Sequence, residues 1–163
     1  MSNRFKKIFL ALSIAIPFLL YCTYYYYIMV KNAPYKFSEI ENITLKEGIG
    51  DKYDKIYSSK SQVFQYLTVK DSLVKSKVKL SKDDMLYLHR KAAELGFWDW
   101  PEKMLGDSSS NSPRYYLEFD YQRKKKIIII DASYDKNIKL RDAALELTKT
   151  VDKAILDADD LQN

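Results

Sequence analysis

Hydrophobic and polar positions divide the chain near residue 30. Ile8 to Val30, IFLALSIAIPFLLYCTYYYYIMV, holds no charged residue and follows a basic start of Arg4, Lys6 and Lys7. At the helical rise this stretch measures about 35 Å, enough to cross a hydrocarbon core of about 30 Å with some tilt. Its first part, Ile8 to Leu20, is strongly apolar, and its second, Tyr21 to Val30, carries four tyrosines in a row, Tyr24 to Tyr27. A tyrosine ring with its hydroxyl suits the far membrane–water interface. A second reading makes Ile8 to Leu20 the core of a cleaved signal peptide. Cleavage after Ala33 would place Lys31 at −3 and Pro34 just past the cut, both unfavourable, so the segment is expected to stay as a single-pass signal-anchor. Pro17 inside it predicts a mild kink, tolerated in a membrane helix because neighbouring groups re-satisfy the freed carbonyl.

Beyond residue 50 the pattern is that of a small folded domain. Gln62 to Val69 and Leu73 to Leu80 alternate as strands, the second with Val74, Val78 and Leu80 on one face and Lys75, Lys77 and Lys79 on the other. Ser81-Lys82-Asp83-Asp84 predicts a helix start, with Ser81 as N-cap and the acids at the positive end of the helix dipole. That helix runs to about Leu95 on a stripe of Met85, Leu88, Ala92 and Leu95, and Gly96 suits the position just past its end. Glu102 to Pro113 reads as a loop. Arg114 to Tyr121 and Ile127 to Ile130 read as a hairpin, and four consecutive isoleucines predict a strand covered on both faces or nearly so. Leu140, Ala144, Leu147, Val151 and Ile155 form one stripe, predicting a helix from about Ile138 to Ala158.

The expected architecture is therefore α+β: an N-terminal transmembrane helix, then one small domain with an antiparallel sheet of four or five strands and two helices on one face. The expected divisions are a basic tail 1–7, the anchor 8–30, a linker 31–50 punctuated by Asn32, Pro34, Gly48 and Gly50 with room for a short strand over Ile40 to Leu45, a soluble domain 51–158 and a frayed tail 159–163.

Charge changes less than its total suggests. The chain has 27 Lys and Arg against 22 Asp and Glu, a net of +5. Three of the basic residues precede the apolar stretch, and without them the excess is two. The high pI is mostly a topology signal, and no concentrated basic face points to nucleic acid. Basic residues flanking the span, three before it against Lys31 and Lys36 after it, place the N-terminus in the cytoplasm and the C-terminal domain outside, periplasmic or extracellular.

Candidate chemistry is sparse. Cys22 is the single cysteine, so no internal disulfide forms. Leu19 and Cys22 match a bacterial lipobox, but Tyr21 stands where that motif needs Gly, Ala or Ser. His89 is the one histidine, with no companion for a metal site or a nucleophile–base pair, and no cofactor or metal is expected. The serine run in the 102–113 loop lacks a nucleophile-elbow pattern. A carboxylate hydrolase would need two facing acids, and Asp99, Asp107 and Asp120 are arbitrary nominees. Both tryptophans lie in Phe97-Trp98-Asp99-Trp100-Pro101. Trp98 and Trp100 are the candidate partner-binding residues if exposed, and otherwise close the core at the end of the helix. The expected function is a membrane-anchored, outward-facing, non-enzymatic binding or interaction domain. The alternatives are an accessory subunit of a membrane complex, hinted at by Ala11 and Ala15, or the hydrolase.

Overall fold

A computed structural model describes residues 3–32, 35–68, 72–107 and 111–162. The expected cleavage site at Ala33-Pro34, the strand end at Val69, the turn at Asp71 and the serines Ser108 to Ser110 lie outside the described residues. The chain is α+β, with a long apolar N-terminal helix followed by one seven-stranded mixed sheet and two helices.

Helix α1 spans Asn3–Asn32. It is long and apolar enough to cross a membrane, and its side chains from Arg4 to Val30 are exposed, with no cover from the rest of the fold. The hydroxyls inside it are satisfied locally: Ser13 donates to the Phe9 carbonyl and Thr23 to the Leu19 carbonyl, each at 2.8 Å.

The strands are β1 (Ile40–Ile49), β2 (Lys52–Ser58), β3 (Val63–Leu67), β4 (Leu73–Lys77), β5 (Lys103–Met104), β6 (Pro113–Tyr121) and β7 (Lys125–Asp131). Their order in the sheet is β4-β3-β2-β1-β6-β7-β5, antiparallel throughout except for β5, which runs parallel to β7. Helices α2 (Lys82–Leu95) and α3 (Ile138–Gln162) complete the domain.

The sheet is larger than the four or five antiparallel strands expected from sequence. Two elements account for the difference. The 31–50 stretch, expected as a linker, supplies β1, which pairs with both β2 and β6. Gly48 looked like a terminator; instead β1 continues through it, opposite a bulge at Asp54 of β2 where the register shifts. A Cβ there would overlap the Lys52 carbonyl oxygen, and this close approach of two backbones requires glycine. The second addition is β5, two residues within the expected loop, whose Met104 is fully buried.

Core side chains share one face of the sheet. Ile43 and Leu45 of β1 lie opposite Phe119 and Leu117 of β6, and Leu117 in turn lies opposite Ile128 of β7. These join Leu88 and Ala92 of α2 and Ala144, Leu147, Val151 and Ile155 of α3 in one buried cluster. The isoleucine run divides: Ile128 and Ile130 are buried, whereas Ile127 and Ile129 face the other side, half-buried. No helix covers that second face among the described residues. Lys46 of β1 caps it instead, lying over the rings of Tyr116 and Tyr53 at 4.7 and 5.8 Å.

Helix α2 starts and stops where local chemistry dictates. Ser81 and Asp84 form a reciprocal capping box, satisfying two orphan N–H groups of α2. Gly96 ends the helix with φ +78°, a left-handed conformation that side chains with a Cβ resist. Helix α3 runs past Ala158 to Gln162, where a frayed tail was expected. The Gln162 amide pairs with the Lys79 backbone in both directions at 3.0 Å, which ties that end to the β4–α2 connection.

Candidate functional site

The tryptophan segment follows the Gly96 cap as a single 3-10 turn, Phe97–Asp99. That turn points Phe97 inward, where it is fully buried and meets Trp98, Trp100 and Phe119 at ring distances of 5.1–5.5 Å. Trp100 is buried at 8% exposure, and its carbonyl accepts a hydrogen bond from Lys126. Trp98 is half-buried and stacks on Tyr35 at 4.6 Å with an 11° tilt. Tyr35 also meets Tyr121 edge-on at 5.4 Å. The two residues nominated from sequence thus lie in an aromatic cluster that locks Tyr35, the first described residue after α1, into the domain.

His89 of α2 belongs to the same cluster. Its Nδ1 lies 2.9 Å from the Tyr121 hydroxyl, and Phe37 and Trp98 flank the ring. Burial lowers the His89 pKa from its usual value and raises that of Tyr121. No group of three or more metal-ligating side chains is present among the described residues. The unfolded chain therefore takes up a proton on His89 at a higher pH than the folded chain does. His89 stabilises fully above about pH 6.5, and that contribution is lost as the pH falls toward the lowered folded value. The melting temperature of the wild type is expected to fall between about pH 7 and 5.5, and His89→Gln, which keeps a partner for Tyr121, to flatten that slope. Thermal melts across this range check it.

The carboxylates nominated from sequence are not brought together. Asp107 follows Gly106, whose N–H donates to Asp131 at the end of β7, opposite Arg114 near the start of β6, while Asp120 lies near the other end of β6. Asp99 lies in the 3-10 turn after α2. Asp131 is itself buried and structural: Arg114 Nε and Nη2 donate to its two oxygens at 2.6 and 3.2 Å. Lys75, Lys77 and Lys79 are exposed on or just after β4, an edge strand, where lysine discourages pairing with another chain.

The chain matches no protein-family model, and no curated protein matches it in sequence.

A concave feature with an apolar floor and an acidic rim lies where the C-terminal half of α3 crosses the β1–β2–β3 corner. It is a groove of about 670 Å³ with Phe64, Tyr66, Leu67 and Leu156 among its lining. Glu47, Asp54, Asp159 and Asp160 stand around it. Among the described residues the one cation in the lining, Lys55, is committed to Asp152 of α3 and lies 3.8 Å from Glu47. Ile49, Leu67 and Leu156 are left 41–51% exposed at its edge. Sequence reading missed this site, since its residues come from Glu47 to Asp160 and no local spacing joins them. A second groove of about 680 Å³ runs between α2 and α3, but Asp84, Glu146 and Asp157 there are balanced by Lys79, Lys149 and Lys153.

Proposed function

We propose that this protein is a single-span membrane protein whose C-terminal domain lies outside the cytoplasm and works as a non-enzymatic binding module. The groove between α3 and the β1–β3 corner is its binding site, and a basic, partly apolar segment of a partner protein is the ligand. The observation that supports this reading is the pairing of an exposed apolar floor with four carboxylates and, among the described residues, no uncommitted cation. Apolar contact supplies affinity, and the acidic rim selects and steers a positively charged partner. The long exposed apolar helix α1 supports the anchor, because such a surface needs a hydrocarbon environment to bury it.

The test uses the full chain in neutral-lipid nanodiscs, titrated with a dye-labelled octapeptide of alternating lysine and leucine. Fluorescence anisotropy is expected to show binding that weakens at least about tenfold in Asp159→Asn/Asp160→Asn and falls further at about 0.5 M salt. Lys149→Ala, in the other groove, is expected to bind as the wild type does. Absence of binding, or equal affinity in the double variant, rules out the groove as the site.

A further inference from the structure

We infer that the end of the domain formed by Lys36 and the β6–β7 turn rests on anionic lipid headgroups, which holds the acidic groove away from the bilayer. The inference depends on the reading that α1 spans the membrane.

Chain reach is the first reason. Helix α1 ends at Asn32, and Tyr35 is already fixed inside the domain by its stack on Trp98 and its edge contact with Tyr121. Three residues of extended chain reach at most about 10 Å. Whatever angle the helix takes, the part of the domain around Tyr35 cannot leave the neighbourhood of the membrane surface.

The side chains at that end are the second reason. Lys124 Nζ lies over the Tyr35 ring at 5.2 Å, and Lys36, Arg123, Lys124 and Lys125 are all exposed. Glu39 is committed to Arg123 through two contacts of 2.6 and 2.8 Å, and Glu118 lies 3.9 Å from Lys125. Lys36 and Lys124 have no carboxylate partner among the described residues. Each lysine close to an anionic surface contributes about 1 kcal/mol, and the effect fades within a Debye length. The tether keeps these lysines inside that range, and so a turn that would otherwise be merely solvated becomes a docking point.

The opposite end of the domain carries the carboxylates of the groove. Strand β1 runs ten residues from Ile40, opposite Tyr121, to Ile49, opposite Pro113. That length is about 30 Å. Glu47 and Asp54 of the groove lie at its far end, joined by Asp159 and Asp160 of α3. An anionic surface attracts the near end and repels the far one, so the two effects orient the domain in the same sense.

The experiment reads orientation in the full chain. In a Cys22→Ser background, a fluorophore is placed at Gln122→Cys, in the turn, or at Lys52→Cys, at the far end. The protein is reconstituted into nanodiscs of neutral phosphatidylcholine, or of phosphatidylcholine with phosphatidylglycerol, each doped with a headgroup nitroxide quencher. In the anionic discs, quenching at position 122 is expected to exceed that at position 52 by at least about threefold. That ratio is expected to fall toward the neutral-disc value in Lys36→Glu/Lys124→Glu, with an unchanged melting temperature as the folding control. Equal ratios in the two lipids, or a ratio insensitive to the double substitution, overturn the proposal while leaving the anchor intact. Failure of the chain to co-elute with the discs overturns the anchor itself and the proposal with it.

Discussion

Asp131→Ala is expected to cost about 3–5 kcal/mol, the range for breaking a buried ion pair by removing one partner. Asp131 side-chain exposure is only 5%, and it holds Arg114 through both oxygens. One of those oxygens also accepts the Gly106 N–H, so the same carboxylate fastens the connection after β5 to the β6–β7 pair. Removing it strands Arg114, itself 17% exposed, with only the fully exposed Asp51 as partner at 2.7 Å. An exposed carboxylate is well solvated and recovers little of the lost interaction. Asp131→Asn keeps the shape and one acceptor and is expected to fall between the wild type and Asp131→Ala. Chemical denaturation of the full chain in detergent, followed by far-UV circular dichroism, measures both. A loss below about 1 kcal/mol for Asp131→Ala would mean that the pair contributes no more than an exposed one.

Phe97→Ala is expected to cost about 3–5 kcal/mol through the lost transfer energy and the cavity left behind. Phe97 has no exposure and sits between Trp98, Trp100 and Phe119, so the vacated volume has large rigid rings on three sides. Large rings packed this tightly relax poorly into a hole, which keeps the cost near the top of the range. A second effect separates this site from an ordinary core position. Trp98 leans on Phe97 and stacks on Tyr35, so Phe97→Ala loosens the clamp that holds the chain leaving α1. Residues 35–39 are expected to gain amide exchange in Phe97→Ala but not in an equally destabilised variant at the opposite end of the core, such as Val151→Ala. Against a domain stability of about 5–15 kcal/mol, either loss is a large fraction of the total.

What could be read from the sequence was set by how local the determining physics was. Helix α2 was legible to within a residue because its cap, its stripe and its glycine are consecutive signals. Strand β6 was legible from the alternation of Tyr115, Leu117, Phe119 and Tyr121. Strand β1 was legible only over Ile40 to Leu45, because Gly48 reads as a terminator in isolation and continues the strand only with Lys52 of the next strand lying against it. Strand β5 was not, because two residues carry no period, and Met104 is buried only by what β7 provides. The isoleucine run showed a buried strand without showing that its second face stays open. Helix α3 ran longer than its apolar stripe because Gln162 found the Lys79 backbone, a contact 83 residues away. The same separation explains the functional readings. Trp98 and Trp100 stood out in sequence as aromatic and adjacent, whereas their burial depends on Tyr35, Phe119 and Tyr121. The groove, assembled from five elements or turns, had no signature along the chain.

The measurement that tests the central claim most directly is protease accessibility of the C-terminal domain in intact cells, with the mass of the mature protein read alongside. A domain outside the cytoplasm on a retained anchor predicts digestion by externally added protease and an uncleaved mass near 19.2 kDa. Protection of the domain until the membrane is permeabilised would contradict the topology. A mature chain lacking its first thirty or so residues would contradict the anchor.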